Sequence, residues 1–299
     1  MKTKQLVFGA LTLLLATSLT FTGCRKDREE DNDTTGAEEH AMAEQYFEDL
    51  RQMANESQGD WSNGSFKNQP GNGSLISTCA VITINKIFLG GDSISEITID
   101  FGPTNCLCLD GRYRRGKVFI SFKVGTYWTP GAFVSVSTVK ASDPGSDSYY
   151  VNDNHVSGTV SVANKGKNAA GHTNWDLIEN GSITKANNGG NITWSCNLNR
   201  EWATGESTFF WWLDDSYALT GSASGTSSNG KIFSMQITSP LIRKIICPKH
   251  FVEGSFDFTH GTHPTRHVDY SYSQNNPAGS CDGWIAITIN GKTYYKQLP

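Results

Sequence analysis

Three catalytic signatures are missing from this 299-residue sequence: there is no Gly-x-Ser-x-Gly, no P-loop and no His-Glu-x-x-His. Nothing local therefore marks a serine hydrolase, an NTPase or a zinc peptidase, although catalytic residues scattered along a β-fold leave no such trace. No cofactor fingerprint stands in their place, and no cofactor is expected. Basic residues are scarce where a nucleic-acid binder needs them. The chain has 25 Lys and Arg against 29 Asp and Glu; residues 25–60 hold four and twelve of these, and residues 61–299 hold 19 and 17. A nearly neutral body argues against nucleic acid as a partner. Long apolar runs are also lacking. The uncharged stretch Leu6–Phe21 is sixteen residues, short of the roughly 20 that cross a bilayer as a helix. Beyond residue 75 no helix-length segment separates the apolar stretches, which leaves little room for parallel crossovers.

What is present at the N-terminus is an address. Lys2 and Lys4 precede the apolar stretch, and small residues lead up to Cys24. A charged start, an apolar middle and a small-residue cut site describe an export signal over 1–23. Phe21-Thr22-Gly23-Cys24 resembles the bacterial lipobox. The resemblance implies that Cys24 is the first mature residue and carries the lipid. Each buried methylene contributes about 0.8 kcal/mol, and two or three chains together make a stable anchor. The run RKDREEDND that follows resembles the export signal behind the lipid cysteine of surface lipoproteins in Bacteroidota-type bacteria. It reads equally as a solvated spacer. The expected location is the outer membrane, by lipid, on the cell surface.

Residues 24–74 are read as an acidic tether. Within it a helix is expected over about 37–56, with Met42, Tyr46, Phe47, Leu50 and Met53 in one apolar stripe, packing on the body or fraying. A Gly/Asn/Ser-rich linker follows over 57–74. Leaving Cys24 aside, six cysteines remain, an even number that favours disulfides in an exported chain. Cys79 and Cys106 flank one expected hairpin, and Cys247 and Cys281 flank a later group of strands. Cys196 is either a buried free thiol or the partner of Cys108. Cys106-x-Cys108 lacks the two-residue gap of a zinc site.

From residue 75 to 299 the signal is β. Ile97, Ile99 and Phe101 alternate, as do Val118, Ile120, Phe122 and Val124. NITWSCNL, KIFSMQI (with Phe233, Met235 and Ile237 on one face) and WIAITI repeat the pattern, which marks half-buried strands. Asp110-Gly111, Asn180-Gly181, Asn229-Gly230 and Asn290-Gly291 supply the positive φ angles of tight hairpins. The expected fold is all-β, an antiparallel meander folded as one large or two small β-sandwiches.

ITIDFGPTNCLCLDGRYRRGKV, YYVNDNHVSGT, REWATGES, ITSPLIRKIIC and GSCDGWIAITING together resemble a group of Bacteroidota-type outer-membrane lipoproteins. The resemblance covers most of 75–299. It implies a secreted β-rich lipoprotein and assigns no activity.

Four groups of residues are candidate sites. Trp202, Phe209, Phe210, Trp211 and Trp212 crowd into eleven residues, with Asp214 and Asp215 beside them. Consecutive residues of a strand face opposite ways, so part of this group is exposed or covered by another element. Exposed Trp faces stack on sugars, and the two aspartates suit hydroxyl groups; a doubly buried corner is the other outcome. His260, His263 and His267 form a loop cluster with His250 upstream, a set that binds metal only if the imidazoles converge. Asp143, Asp147 and Asp153 with their asparagines are hard oxygen donors suited to calcium, and equally suited to turns. In GRYRRGK, Arg112 and Arg114 share one strand face and Arg115 and Lys117 the other, as an anion site or a charged, solvated hairpin edge. Glu96, Asp100, Glu179, Glu201 and Glu206 are available to a glycoside hydrolase, with nothing to mark a pair. The function expected is envelope binding or adhesion, with a glycan or an envelope or host protein as partner. An accessory subunit of a membrane complex comes second and a glycan hydrolase third.

Overall fold

A computed structural model describes residues 31–57, 79–89, 92–122, 128–140, 142–208, 211–247, 250–272 and 280–298. The signal, Cys24, residues 58–78, Val124, Phe209 and Phe210 lie outside the described residues. The expected antiparallel meander is what folds. The strands are β1 Val81–Leu89, β2 Asp92–Asp100, β3 Cys106–Leu107, β4 Tyr113–Arg115, β5 Lys117–Phe122, β6 Phe133–Ser137, β7 Tyr150–Val151 and β8 Asn154–Lys167. They continue as β9 Thr173–Thr184, β10 Asn191–Thr204, β11 Ser216–Thr226, β12 Ile232–Lys244, β13 Glu253–His260, β14 Arg266–Asp269, β15 Trp284–Ile289 and β16 Lys292–Gln297. All sixteen form one sheet in the order β1-β2-β5-β6-β8 and then in sequence to β16, with β3, β4 and β7 as a short branch onto β8. Every pairing is antiparallel.

The alternating residues fill one face. Ile97, Ile99, Val118, Ile120, Ile192, Trp194, Leu198, Phe233, Met235, Ile285 and Ile287 are all buried. Turns occur where asparagine and glycine carry positive φ: Asn290-Gly291 closes β15–β16, and Asn152-Asp153 closes β7–β8 with φ of 47° and 64°. Asn180-Gly181 departs from expectation. It lies inside β9, where Gly181 faces Gly158 of β8. A Cβ on Gly181 would stand 2.5 Å from the Phe47 ring and 2.4 Å from the Ser157 carbonyl. These glycines make room for a helix, not a turn.

That helix, α1 (Thr35–Glu56), corrects the expected domain boundary. It belongs to the core of the β domain and not to the tether. The predicted stripe is buried at Tyr46, Phe47, Leu50 and Met53, with Met42 packed at its margin. The opposite faces are buried too, including Glu39, His40, Glu44, Gln45, Glu48, Asp49 and Arg51. At about 1.5 Å per residue the helix is about 33 Å long. Its side chains meet β4, β8, β9, β10, β12 and β13. His40 sits among the rings of Trp194, Phe256, Phe258 and Phe233 at 4.8, 4.7, 5.6 and 5.8 Å.

The cysteine pairs are Cys79–Cys106 and Cys247–Cys281, with Cα atoms 6.2 and 5.2 Å apart. Cys108 and Cys196 are separate buried free thiols. Burial raises the pKa of both, which keeps them protonated and unreactive.

Candidate functional site

The polar chemistry of the molecule divides between the inside and the outside of the sheet. Inside, five arginines (Arg51, Arg112, Arg114, Arg200 and Arg243) are buried together with five acids (Glu44, Glu48, Asp49, Asp110 and Glu179). Asp49 of α1 accepts from Arg112 at 2.8 Å and from Arg114 at 2.6 Å, and Arg114 also binds Asp110 at 2.7 Å. Arg51 of α1 reaches Glu48, Glu44 and, on β9, Glu179. Glu179 further accepts from the Trp194 indole at 3.1 Å. Burial pushes Glu48 up, but Arg51, Arg200 and Arg243 outweigh it and bring its pKa down to about 2. Burial wins at Glu44, whose carboxyl is raised. Burial likewise prevails at Arg243, whose pKa is lowered; the five cations equal the five acids in number, and burial of such groups demands that they be grouped with opposite charge.

The GRYRRGK segment thus keeps its expected alternation, but its inner face is not a solvated edge. Arg112 and Arg114 hold the helix. On the other face Arg115 pairs with Asp153 and stacks on Tyr150 at 3.9 Å, and Lys117 pairs with Asp100 at 3.0 Å.

The aromatic candidate is dispersed. Trp202 is buried and donates to Asp215 at 3.2 Å, and Asp215 is buried with it. These two residues face the core and present nothing to a ligand. Trp211 is 63% exposed. Asp214 accepts from the Thr208 hydroxyl at 2.7 Å, and the Trp212 side chain is outside the described residues. The histidines do not gather into a three-ligand site, although the His260 and His263 rings stack at 5.8 Å. His260 is buried against the Ser227 hydroxyl at 2.6 Å, His263 meets Lys231 at 2.8 Å, and His267 meets Asp257 at 2.8 Å. His250 pairs with Gln45 of α1 at 2.6 Å. No group of three metal-binding side chains occurs among the described residues. Asp143 caps Gly145, Asp147 binds His155 and Ser157, and Asp153 binds Arg115 and Asn105, so each serves a turn or neighbouring strand.

Of the five carboxylates, Glu179 belongs to the core network. Glu201 accepts from Asn168 at 2.9 Å, and Glu206 accepts from Thr173 at 2.6 Å and Lys167 at 3.1 Å. Both therefore lie at the β8–β9 turn. Partial burial pushes Glu206 up, but its bonds to Thr173 and Lys167 prevail and lower its pKa. A general acid needs the opposite shift.

Outside, a feature appears that the sequence did not single out. Thr159, Asn180, Ser195, Ser224, Ser234 and Thr259 stand opposite one another across β8 to β13. At about 4.8 Å per strand the row is about 24 Å long. A second row, Asn197, Ser222, Gln236, Asp257 and His267, runs beside it across β10 to β14. The small side chains of β11 lie low between the two neighbouring strands. The result is a shallow groove of about 560 Å³ bordered by Ile178, Asn197, Gln236 and Asp257. A smaller one, about 290 Å³, lies on the same face over β2, β5, β6 and β8. The larger groove is within the size range of small-ligand sites. Its lining offers hydroxyl and amide groups and a single carboxylate, Asp257. The pattern is visible in the sequence only as the polar half of each alternation. No protein-family model, curated protein or solved structure matches the chain.

Proposed function

We propose that this is a lipid-anchored envelope protein whose β domain binds a neutral, hydroxyl-rich ligand, a glycan, on its outer face. Cys24 carries the anchor and the acidic segment behind it spaces the domain from an outer-membrane surface. The carrying observation is the row Asn197–Ser222–Gln236–Asp257 along the larger groove. Planar amide and carboxylate groups accept and donate in fixed directions, as sugar hydroxyls require. The near-neutral body favours an uncharged ligand over an anionic one. This reading moves the binding residues away from Trp202 and Asp215, and leaves Trp211 as an exposed flank.

A neutral-glycan array screened with the chain from residue 25 onward tests it. Asn197→Ala combined with Gln236→Ala should abolish binding while Trp211→Ala retains it. Binding unchanged in the double variant, or no binding by the parent, would reject the groove as the site. The second reading, a protein-docking subunit, draws on the β3–β4 hairpin, where Leu107, Leu109 and Tyr113 are 55%, 49% and 47% exposed. Crosslinking that captures an envelope protein through this hairpin, beside a silent glycan array, would favour it.

A further inference from the structure

Resting on the reading of the larger groove as a glycan site, we infer that its ligand is a long linear polysaccharide that lies across both grooves at once. The strand registers carry both rows past the larger groove. In the first row Thr159 stands opposite Ser137, Ser137 opposite Phe119, and Phe119 opposite Thr98. In the second, Asn197 is followed by Ile178, Ser161, Ser135, Ser121 and Glu96 on successive strands. Among the described residues the one register shift in these ladders, at Asn164–Gly166, lies away from both rows. The smaller groove takes up the same rows at Thr98, Phe119, Ser121, Ser135, Ser137 and Thr159. In the first row only Asn180 stands between Thr159 and Ser195, where the larger groove begins. The step between the grooves is therefore polar and in register.

Length and charge select the ligand. From Ser195 to Thr259 the larger groove crosses four strands, about 14 Å at about 4.8 Å per step, whereas Thr98 to Thr259 is about 38 Å over the sheet. A short glycan fills one groove, and only a chain reaches both. A linear polysaccharide repeats the same hydroxyls at each unit, as the rows repeat hydroxyl and amide groups at each strand. Glu96, Lys140 and Asp257 are the charged groups lining the two grooves. Neither an anionic nor a cationic polymer meets a row of opposite charge there, so the fit is to a neutral one. The smaller groove adds what the larger lacks. Phe119 is half-buried on the outer face between Thr98 and Ser137, an aromatic ring bordered by hydroxyl groups. Such a ring stacks on the apolar face of a sugar.

A length series tests this on the chain from residue 25 onward, which keeps α1 and every strand. The probes are neutral gluco-, manno- and xylo-oligosaccharides, from the disaccharides up to the parent polysaccharides. For the sugar that binds, affinity should rise about 100-fold between short chains and chains that span both grooves, as linked sites do. Phe119→Ala should remove that gain and leave the binding of short chains unchanged. A statistical gain from repeated sites on a long polymer would survive the substitution. If Phe119→Ala loses its unfolding transition, Thr159→Arg, at an exposed residue between the grooves, is read in the same way. Affinity that levels off at the short chains, or a gain that persists in the folded variant, would overturn the inference and leave the larger groove as a glycan site. Binding of no chain at any length would overturn both readings.

Discussion

The two faces of the sheet are built by the same alternation and do opposite things. The inner face places aromatics, aliphatics and four arginines against α1. The outer face places serine, threonine and asparagine in rows toward solvent. Substitutions inside should register as stability and substitutions outside as binding. The comparison teaches that in this molecule the strongest charges mark the core and the weakest polar groups mark the candidate site.

The sharpest way to break that division is Arg114→Leu. It takes one of two guanidinium partners from buried Asp49 and Asp110 and leaves Arg112 to face both, and losing one partner of a buried ion pair costs about 3–5 kcal/mol. Urea unfolding should show that loss; a variant as stable as the parent would mean the network is solvated. Gly181→Ala comes next. Its methyl collides with the Phe47 ring and the Ser157 carbonyl, and overpacking costs about 1–3 kcal/mol. Adding Phe47→Leu should recover part of this, and strict additivity of the two changes would contradict the contact.

A third prediction uses pH. Burial drops the His40 pKa from 6.5 to about 3. The unfolded chain therefore takes up a proton below about 6.5 that the folded chain refuses until about 3. Stability is full above 6.5 and falls by about 1.4 kcal/mol per pH unit below it. Buried His260 is lowered as well and acts in the same direction, whereas the raised Glu44 carboxyl acts in the opposite one. Both remain in His40→Leu, so the difference between that variant and the parent isolates His40. Between pH 6.5 and 4.5 the parent should lose stability faster than the variant, and parallel curves would refute the buried neutral imidazole. The smallest effect is outside: Ser224→Ala with Ser234→Ala should change stability by no more than about 0.5 kcal/mol while weakening glycan capture. A large loss of stability there would erase the distinction between the faces.

Much of the fold was legible because period-two alternation survives in one sequence. Ile97, Ile99, Val118, Ile120, Phe233 and Met235 were placed on the correct face, and the two disulfides follow the hairpins they flank. The destination of α1 was not legible. Glu44, Glu48, Asp49 and Arg51 have the composition of a solvated helix face, and only the arginines more than sixty residues away reveal them as core. For the same reason Arg112 and Arg114 could be assigned to a common face without showing that it points inward. Gly181 was misplaced because Asn-Gly in a strand, needed for close approach, has the same composition as Asn-Gly in a turn. The outer rows were hidden because serine and threonine on alternate positions look like ordinary solvent-facing residues until registers align them across six strands.

Hydrogen exchange on the intact chain tests the central claim, that α1 is the core of the β domain. The amides of residues 39–56 should exchange as slowly as those of β8, β9 and β10, opening only with global unfolding. Exchange of the helix within seconds while the strands stay protected would show that α1 is an appendage, and the account would fail.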